Sequence, residues 1–265
     1  MSCVSWGQSY DRGVYQPAHG KFTVEDPSAL LAELCAIVPA TLVSIDEGGG
    51  YQVSILPMLF EPSAGGEGPG ILRGHLARGN PHWRALETRP AVVAIFNGAD
   101  AYITPSWYEE KRLTGKVVPT WNYSTVSAHG TVTVHHQAEW LLPHVRALVE
   151  RQEGRFAEPW SVDDAPDSYI ETQARAIVGL ELRVTRLEAK RKLSQNRSEA
   201  DIDGVIDALA DGDGQERQVA ADMRRTTLDA LVGGARGALA SVGPFESADV
   251  IAADEGTRDA ADRRR

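Results

Sequence analysis

The chain has 265 residues, of which 42% are hydrophobic and 24% charged; these values are typical of a buried core and exclude disorder of the whole. Its 37 acidic residues outnumber 27 lysines and arginines, and the net charge of -10 counts against nucleic acid as the main partner because it repels polyanions. Two cysteines, Cys3 and Cys35, can build neither a disulfide framework nor a thiolate metal cage, which fits a reducing cytoplasm.

No segment is typical of export or membrane insertion. Residues 1–12 lack the apolar run of a signal peptide, and nowhere do eighteen apolar residues follow one another. We therefore expect a cytoplasmic protein without a membrane partner.

A helix and a hairpin are predicted near the start of the chain. Asp26 and Pro27 are typical of an N-cap and a first helical position, and apolar residues follow at helical spacing. Residues 41–45 and 51–60 are β-prone and flank a glycine turn, which predicts an antiparallel hairpin. A glycine-rich loop over 63–70 comes next.

Strands dominate the middle of the chain. Asn80 and Pro81 begin a short helix that must end by Arg89, because Pro90 disfavours helix at the residue before it. Around this helix the predicted strands are residues 71–78, 91–96, 101–104 and 120–135.

Helical patterns return later in the sequence. They cover 138–152 and the residues from Pro166 to Arg175, and a half-buried strand then alternates apolar and polar residues over 178–185. Ser198 and the acidic residue three positions on resemble a capping box for a helix that ends at Leu209.

The composition changes after residue 210. From there Phe245 is the only aromatic residue, lysine is absent, and glycine, alanine, aspartate and arginine prevail. We interpret 1–210 as one domain and 211–265 as an acidic tail with at most one helix, over 216–232. Because the tail has little apolar surface to bury, we expect it to be dispensable for folding.

Strand pairs joined by turns and flanked by helices predict the α+β class with a β-barrel, rather than alternating parallel βαβ units. A dinucleotide-binding fold would need a glycine fingerprint between a strand and a helix, and the sequence has none.

The segment ILRGHLARGNPHW, residues 71–83, carries the strongest candidate site. In a strand, Arg73 and His75 share a face, and Gly74 between them would let a flat ligand approach the backbone. Asn80 opens a helix whose N–H groups favour an anion, and Arg78 adds positive charge. Residue type alone slightly favours a hydrogen-bonded barrel histidine at position 75, and the companion residues shift the interpretation towards a ligand site.

Two further segments could contact a cofactor. Residues 104–111 and 118–123 place two tryptophans and two tyrosines close together, as a wall for an aromatic cofactor or as a border between core and dimer interface. The sequence KRKLSQNR, residues 190–197, could bind an anionic edge or form a solvated turn.

Other groups of residues in the sequence do not form a recognisable metal-binding or catalytic motif. His135 and His136 face opposite sides of a strand and give no metal-ligand spacing, and no nucleophile-elbow motif accompanies the serines. Because CxxCH is absent, any haem would be bound non-covalently.

Taken in order, GHLARGNPHW, YITPSWY, VVPTWNY and KLSQNR resemble the successive motifs of the PaiB family, which is described as FMN-binding negative transcriptional regulators. The resemblance spans about residues 14–209. It implies an FMN-binding type of split β-barrel with flanking helices and a homodimer with cofactor sites at its interface. The chain departs from the family pattern in its amino-terminal lead, in Gly79 and in its long tail.

The family also includes the haem-dependent piperazate synthases, which use haem b to form an N–N bond in an N-hydroxylated amine. Their axial histidine lies in the motif that GHLARGNPHW resembles, so His75 is the expected iron ligand and catalytic residue. The expected cofactor-binding residues are Arg73, His75, Arg78, Asn80, Trp83, Thr120, Trp121, Asn122, Tyr123, Lys192 and Gln195.

Three functions follow from this resemblance. The first is a haem-dependent enzyme acting on a small N-hydroxylated amine. The second is an FMN- or haem-binding negative transcriptional regulator, against which the acidic net charge and the lack of a helix-turn-helix speak. The third is a flavin-dependent oxidoreductase, which rests on fold analogy.

Overall fold

The computed structural model of the chain describes residues 15–17, 20–65 and 68–241, with side chains up to residue 229. It divides the chain into two compact units, one ending at Arg225 and one comprising 226–265. Cys3 and Phe245 lie outside the described residues. No helix in the described part is long and apolar enough to cross a membrane.

Strands and helices occupy most of the described chain. The strands are β1 (Ala40–Ile45), β2 (Tyr51–Leu56), β3 (Met58–Pro62), β4 (Gly70–Ala77), β5 (Ala91–Ile103), β6 (Thr120–His135) and β7 (Ile177–Lys192). The α-helices are α1 (Pro27–Ile37), α2 (His82–Thr88), α3 (Glu109–Leu113), α4 (Ala138–Glu153), α5 (Asp167–Arg175), α6 (Glu199–Ala210) and α7 (Gly214–Ser241).

Helix α1 shows how local sequence sets these boundaries. The Asp26 carboxylate accepts the Ala29 N–H, and Pro27 occupies the first turn, as the sequence predicts. The helix ends at Ile37 because Val38 precedes a proline and is extended. Its apolar side, which includes Leu31 and Leu34, is buried against the sheet.

The sheet must curl because of how its edge strands are connected. Its strands run β2-β1-β5-β6-β7-β4-β3, and all neighbours are antiparallel. A flat sheet of this size would hold its edges about 29 Å apart, yet only Pro57 separates the edge strands β2 and β3, and two peptide units span about 7 Å. The edges therefore meet at Pro57, which gives a barrel that is split where β2 and β3 share no ladder. The predicted α+β split barrel is confirmed.

Two clusters of buried residues fill the first unit. The larger lies inside the barrel and includes Leu42, Leu72, Phe96 and Leu182. The smaller lies where β5 runs on past the barrel and packs against α6 and the start of α7. Its buried members include Ile103, Tyr108, Leu193, Val205, Leu209, Val219, Ala220 and Met223.

The second cluster bears on the predicted tail. The helix predicted over 216–232 exists and is longer, and Val219, Ala220 and Met223 in its first turns are buried. This burial disagrees with the expectation that everything after residue 210 is dispensable. The boundary at 210 stays a prediction, and we propose instead that the folding unit ends near Arg225, as the compact unit does.

Candidate functional site

Strand β4 places Arg73 and His75 on the outer face of the barrel. Leu72, Gly74 and Leu76 point inward and are buried. A Cβ added at Gly74 would lie 2.9 Å from Leu56 Cδ1, so this glycine is needed for core packing. The expectation that Gly74 opens the backbone beside His75 to a flat ligand is therefore wrong, whereas the shared face of Arg73 and His75 is confirmed.

His75 is paired with a second histidine that the sequence did not single out. Its Nδ1 lies 3.1 Å from Nε2 of His144, which α4 places over the strand, and the two rings meet edge to face. Burial lowers the pKa of His75, and burial followed by the charges of His75 and Arg73 lowers that of His144 to about 4. Both rings are therefore neutral at pH 7, and the bond leaves Nε2 of His75 as the nitrogen that could bind a metal.

Trp140 holds this arrangement together. A Cβ added at Gly179, the cross-strand neighbour of both His75 and His135, would overlap Cζ3 of Trp140. The indole therefore occupies the space that the glycine leaves, and the ring of His135 stacks on it at 4.4 Å. We call Arg73, His75, His135, Trp140 and His144 the histidine face.

The other candidates from the same segment bind protein groups. The Arg73 guanidinium pairs with the carboxylates of Glu61 and Glu181. The remaining contacts are hydrogen bonds from Arg78 to the carbonyl oxygens of Arg175 and Ile177, from Asn80 Nδ2 to Ser54 Oγ, from the His82 N–H to Asn80 Oδ1, and from Trp83 Nε1 to the Arg78 carbonyl. Their roles toward a cofactor stay predictions.

The second segment and the end of β7 form a separate pocket of about 220 Å³. Three expected cofactor residues, Thr120, Asn122 and Lys192, line it together. The other lining residues are Phe22, Tyr108, Val118, Pro119, Ser194, Asn196 and Arg197. We call this cavity, with the adjacent Lys190, the cationic pocket.

The remaining expected residues lie around the pocket. Gln195 shapes the turn, because its amide accepts the Leu193 N–H and donates to the Arg191 carbonyl. The ring of Tyr123 lies 5.8 Å from the Lys190 ammonium. Trp121 is half-exposed on the opposite face of β6 and donates to Asp100.

Three cations in and beside the pocket have no carboxylate partner in the part of the chain that the structure describes. Lys190 is buried and donates to the Tyr15 carbonyl, Lys192 donates to Thr120 and to the Trp121 carbonyl, and the Arg197 guanidinium lies over the Tyr108 ring. None of the three has a carboxylate within 4.0 Å among the described residues. Burial, followed by the charges of Lys190 and Arg197, lowers the pKa of Lys192.

Two residues of the pocket, Ser194 and Tyr108, were not predicted as site residues from the sequence. Ser194 has a φ of 67°, the left-handed region that non-glycine residues rarely adopt, and exchanges hydrogen bonds with the buried Asn122. The Tyr108 hydroxyl is buried without a hydrogen-bond partner among the described residues. The aromatic segment at 104–111 pointed towards Tyr108, whereas nothing in the sequence signals the backbone of Ser194.

The two regions lie at opposite ends of the same strands. His75 pairs with Gly179 at the start of β7, and Lys192 ends that strand opposite Tyr123 of β6. The thirteen residue steps from Gly179 to Lys192 correspond to roughly 40 Å along the strand. Within one chain, the expected iron ligand His75 and the expected anion contact Lys192 are therefore not brought together.

A third feature is the bare outer face of β1, β2 and β5. Val53, Val43 and Val93 lie side by side across these strands, and Tyr51 and Ile55 are 75% and 72% exposed. A groove of about 670 Å³ runs along this face past Ile45. We call these residues the apolar face.

Comparison with known proteins adds family context. The family profile described as "Putative FMN-binding domain" matches residues 14–186, a range that ends before Lys192. The protease synthase and sporulation protein PAI 2 of Bacillus subtilis is 32% identical, with 59% of this chain and 73% of that protein covered. An uncharacterized protein of Emericella nidulans is 36% identical, with 58% and 73% covered.

Two solved structures are also similar. The FAD and heme binding protein from Mycobacterium smegmatis has 18% identity and a TM-score of 0.45, with 66% of this chain and 76% of that chain covered. The flavocytochrome Anf3 from Azotobacter vinelandii has 13% identity and a TM-score of 0.46, with 69% and 74% covered.

Proposed function

Because the chain belongs to the family described as "Putative FMN-binding domain", we propose that it is a PaiB-like cofactor-binding enzyme whose cationic pocket holds the anionic end of a planar cofactor. The observation that carries this proposal is the group of three cations, Lys190, Lys192 and Arg197, without a carboxylate partner among the described residues. Partly buried cations are costly unless they are paired. A bound anion would supply the missing partner.

The size and lining of the pocket limit what it can hold. Thr120, Asn122 and Ser194 offer hydroxyl and amide groups beside Lys192 and Arg197, which suits the oxygens of a phosphate or a carboxylate. About 220 Å³ is below the roughly 300–1,000 Å³ typical of pockets for whole ligands. The ring of FMN or haem would therefore lie outside the pocket, against another surface.

A second copy of the chain would provide that surface. Monomers rarely leave contiguous apolar patches uncovered, and the apolar face crosses three neighbouring strands. We propose that this face forms a homodimer. Light scattering should give twice the chain mass, and Val53→Glu should yield monomers whereas Leu113→Glu, at an exposed leucine elsewhere, should not. A monomeric wild type at micromolar concentration would contradict the dimer.

Haem is the candidate cofactor that the histidine face favours. Neutral His75, fixed through Nδ1 by His144, would hold the iron through its free Nε2. Bound haem would supply a Lewis-acidic, redox-active iron, and the motif resemblance suggests N–N bond formation in an N-hydroxylated amine. If the cofactor is haem, the charge of Arg73 beside His75 is already balanced by Glu61 and Glu181. The haem propionates would therefore need the cationic pocket of the partner subunit.

The absorption spectrum of the protein, reconstituted separately with FMN and with haem b, tests both candidates. Flavin gives a double band and haem a Soret band. We expect Lys192→Met to weaken binding of either cofactor about 10- to 100-fold, the usual cost of a lost charged hydrogen bond. Arg112→Met is the matched control, because that exposed cation lies outside both regions and is already paired with Glu109. Equal binding by Lys192→Met and wild type would refute the pocket proposal.

His75→Ala separates haem from FMN. If His75 ligates iron, this variant should shift the Soret band and leave FMN binding unchanged. An unchanged haem spectrum would leave FMN as the cofactor and His75 as a structural partner of His144. Promoter fragments retained in a gel shift at moderate salt would instead favour the regulator.

A further inference from the structure

Tyr108 is a buried residue whose polar atom is unused. It follows the short helical turn Pro105–Trp107 and caps α3 through its backbone. Its side chain is 3% exposed and belongs to the second core cluster. The hydroxyl oxygen is buried and has no hydrogen-bond partner within the described part of the chain.

An unpaired buried hydroxyl is unusual. Leaving one unsatisfied costs about 1–3 kcal/mol, and native proteins retain few such groups. A phenylalanine would fill the same space without that cost. The hydroxyl therefore calls for a reason outside the ligand-free fold.

The surroundings of the hydroxyl indicate what it could bind. Tyr108 lines the cationic pocket together with Lys192, Ser194 and Arg197. Burial raises the pKa of Tyr108, and the charge of Arg197, followed by polar groups of Ser194 and Arg197 that lie near the hydroxyl but outside hydrogen-bonding geometry, opposes the rise. The phenol therefore stays protonated near neutral pH, and its O–H is available as a donor.

We propose that the Tyr108 hydroxyl donates a hydrogen bond to the anion bound in the cationic pocket. The inference rests on the proposed function, since it requires that the pocket bind an anionic group. The chemical class of the acceptor is an oxygen of a phosphate or a carboxylate. Lys192 and Arg197 would balance the charge, and Tyr108 would orient the group with a neutral donor.

The substitution Tyr108→Phe removes only the hydroxyl and keeps the ring in its cluster. Without anion, we expect the variant to be as stable as wild type or slightly more stable, because an unsatisfied polar group is lost. With anion, we expect its affinity to fall about 10-fold. The probes are inorganic phosphate, FMN and haem b, measured by the shift in unfolding temperature and by titration. Phosphate and FMN report a phosphate site, and haem b reports a carboxylate site.

A control and three outcomes make the test decisive. Tyr169→Phe, at an exposed tyrosine of α5, should match wild type in stability and in binding. If Lys192→Met loses affinity and Tyr108→Phe does not, the role of Tyr108 is wrong and the proposed function stands. If Tyr108→Phe lowers stability without anion, the hydroxyl is structural and the inference falls. If none of the three probes binds wild type, the proposed function and the inference about Tyr108 both fail.

Discussion

The histidine face and the cationic pocket lie at opposite ends of β6 and β7, and they differ in how their charged groups are balanced. On the histidine face, the Arg73 charge is balanced by two carboxylates and the His75 ring is bonded to His144. In the cationic pocket, Lys192 and Arg197 have no carboxylate partner among the described residues, and the Tyr108 hydroxyl makes no hydrogen bond with them. Of the two regions, the pocket is therefore the one whose cations remain open to a ligand, although the histidine face also keeps two unpaired ring nitrogens, His135 Nε2 and His144 Nδ1.

This difference teaches that residue type is a weaker guide to a site than unmet bonding capacity. Histidines attract attention because they can be bases or metal ligands. Here burial lowers the pKa of three of them, His75, His135 and His144, and the rings of His135 and His144 pack on Trp140. The lysine and the tyrosine are less conspicuous in the sequence, yet their environment demands a partner.

The two regions should respond differently to loss of the carboxyl-terminal helix. A chain ending at Ala210 lacks Val219, Ala220 and Met223, which are buried in the cluster beneath the pocket. At about 1.5–3 kcal/mol for each large apolar side chain, we expect the free energy of unfolding to fall by about 5 kcal/mol. Urea denaturation measures this loss.

A chain ending at Arg225 is the matched control, since it keeps these residues and the ion pair of Arg225 with Glu33. It should unfold within about 1 kcal/mol of the full chain. Truncation at 210 also removes the contact between Asn122 and Met223 and should abolish phosphate binding by the pocket. Equal stability of the two truncated chains would support the boundary expected at 210.

The pH dependence of stability tests the histidine face alone. The pKa of His144 is about 4 in the folded chain, because of burial and then the charges of His75 and Arg73, against about 6.5 unfolded. Between these values the unfolded state binds a proton that the native state does not. Stability is therefore full above pH 6.5 and falls as the pH approaches 4, by about 3 kcal/mol for this group.

Comparison of wild type with His144→Gln isolates the contribution of this histidine, because carboxylates titrate in both proteins. The amide keeps a polar group against His75 without titrating. The unfolding free energy of wild type minus that of His144→Gln should fall by about 3 kcal/mol from pH 7 to pH 4. Parallel curves would mean that His144 is not buried as a neutral ring.

Much of the fold could be predicted because its signals are local. Asp26 and Pro27 set the start of α1, and the alternation over 178–185 lies within β7. Two strands predicted at 91–96 and 101–104 are one strand, because β5 continues through a register shift between Asn97 and Asp100. Such continuity depends on pairing with β6 and has no local signal.

The sites were less predictable because they depend on contacts between distant segments. His144 meets His75 across 69 positions, and Ser194 meets Asn122 across 72. The motif GHLARGNPHW suggested one composite site, whereas its residues mainly cap, pair and pack, as Arg78 does with the carbonyl of Ile177. The alternation of side chains along β4 correctly predicts that Arg73 and His75 share a face. It does not predict that α4 covers that face.

The smallest effect concerns the glycine on which the histidine face is built. Gly179→Ala adds a Cβ that overlaps the Trp140 indole, and Leu141 Cδ2 lies 3.2 Å from the same position. Because both belong to α4, the helix must shift or the ring must turn, and overpacking of this kind costs about 2 kcal/mol. Gly79→Ala is the control, since a Cβ there meets nothing within 4 Å.

Thermal unfolding should separate the two variants, and the histidine NMR signals of Gly179→Ala should show the bond between His75 and His144 loosened. Phosphate binding in the pocket, roughly 40 Å along β7, should be unchanged in both. If Gly179→Ala weakened phosphate binding as well, the two regions would be coupled through the strand, and the contrast between them would fail.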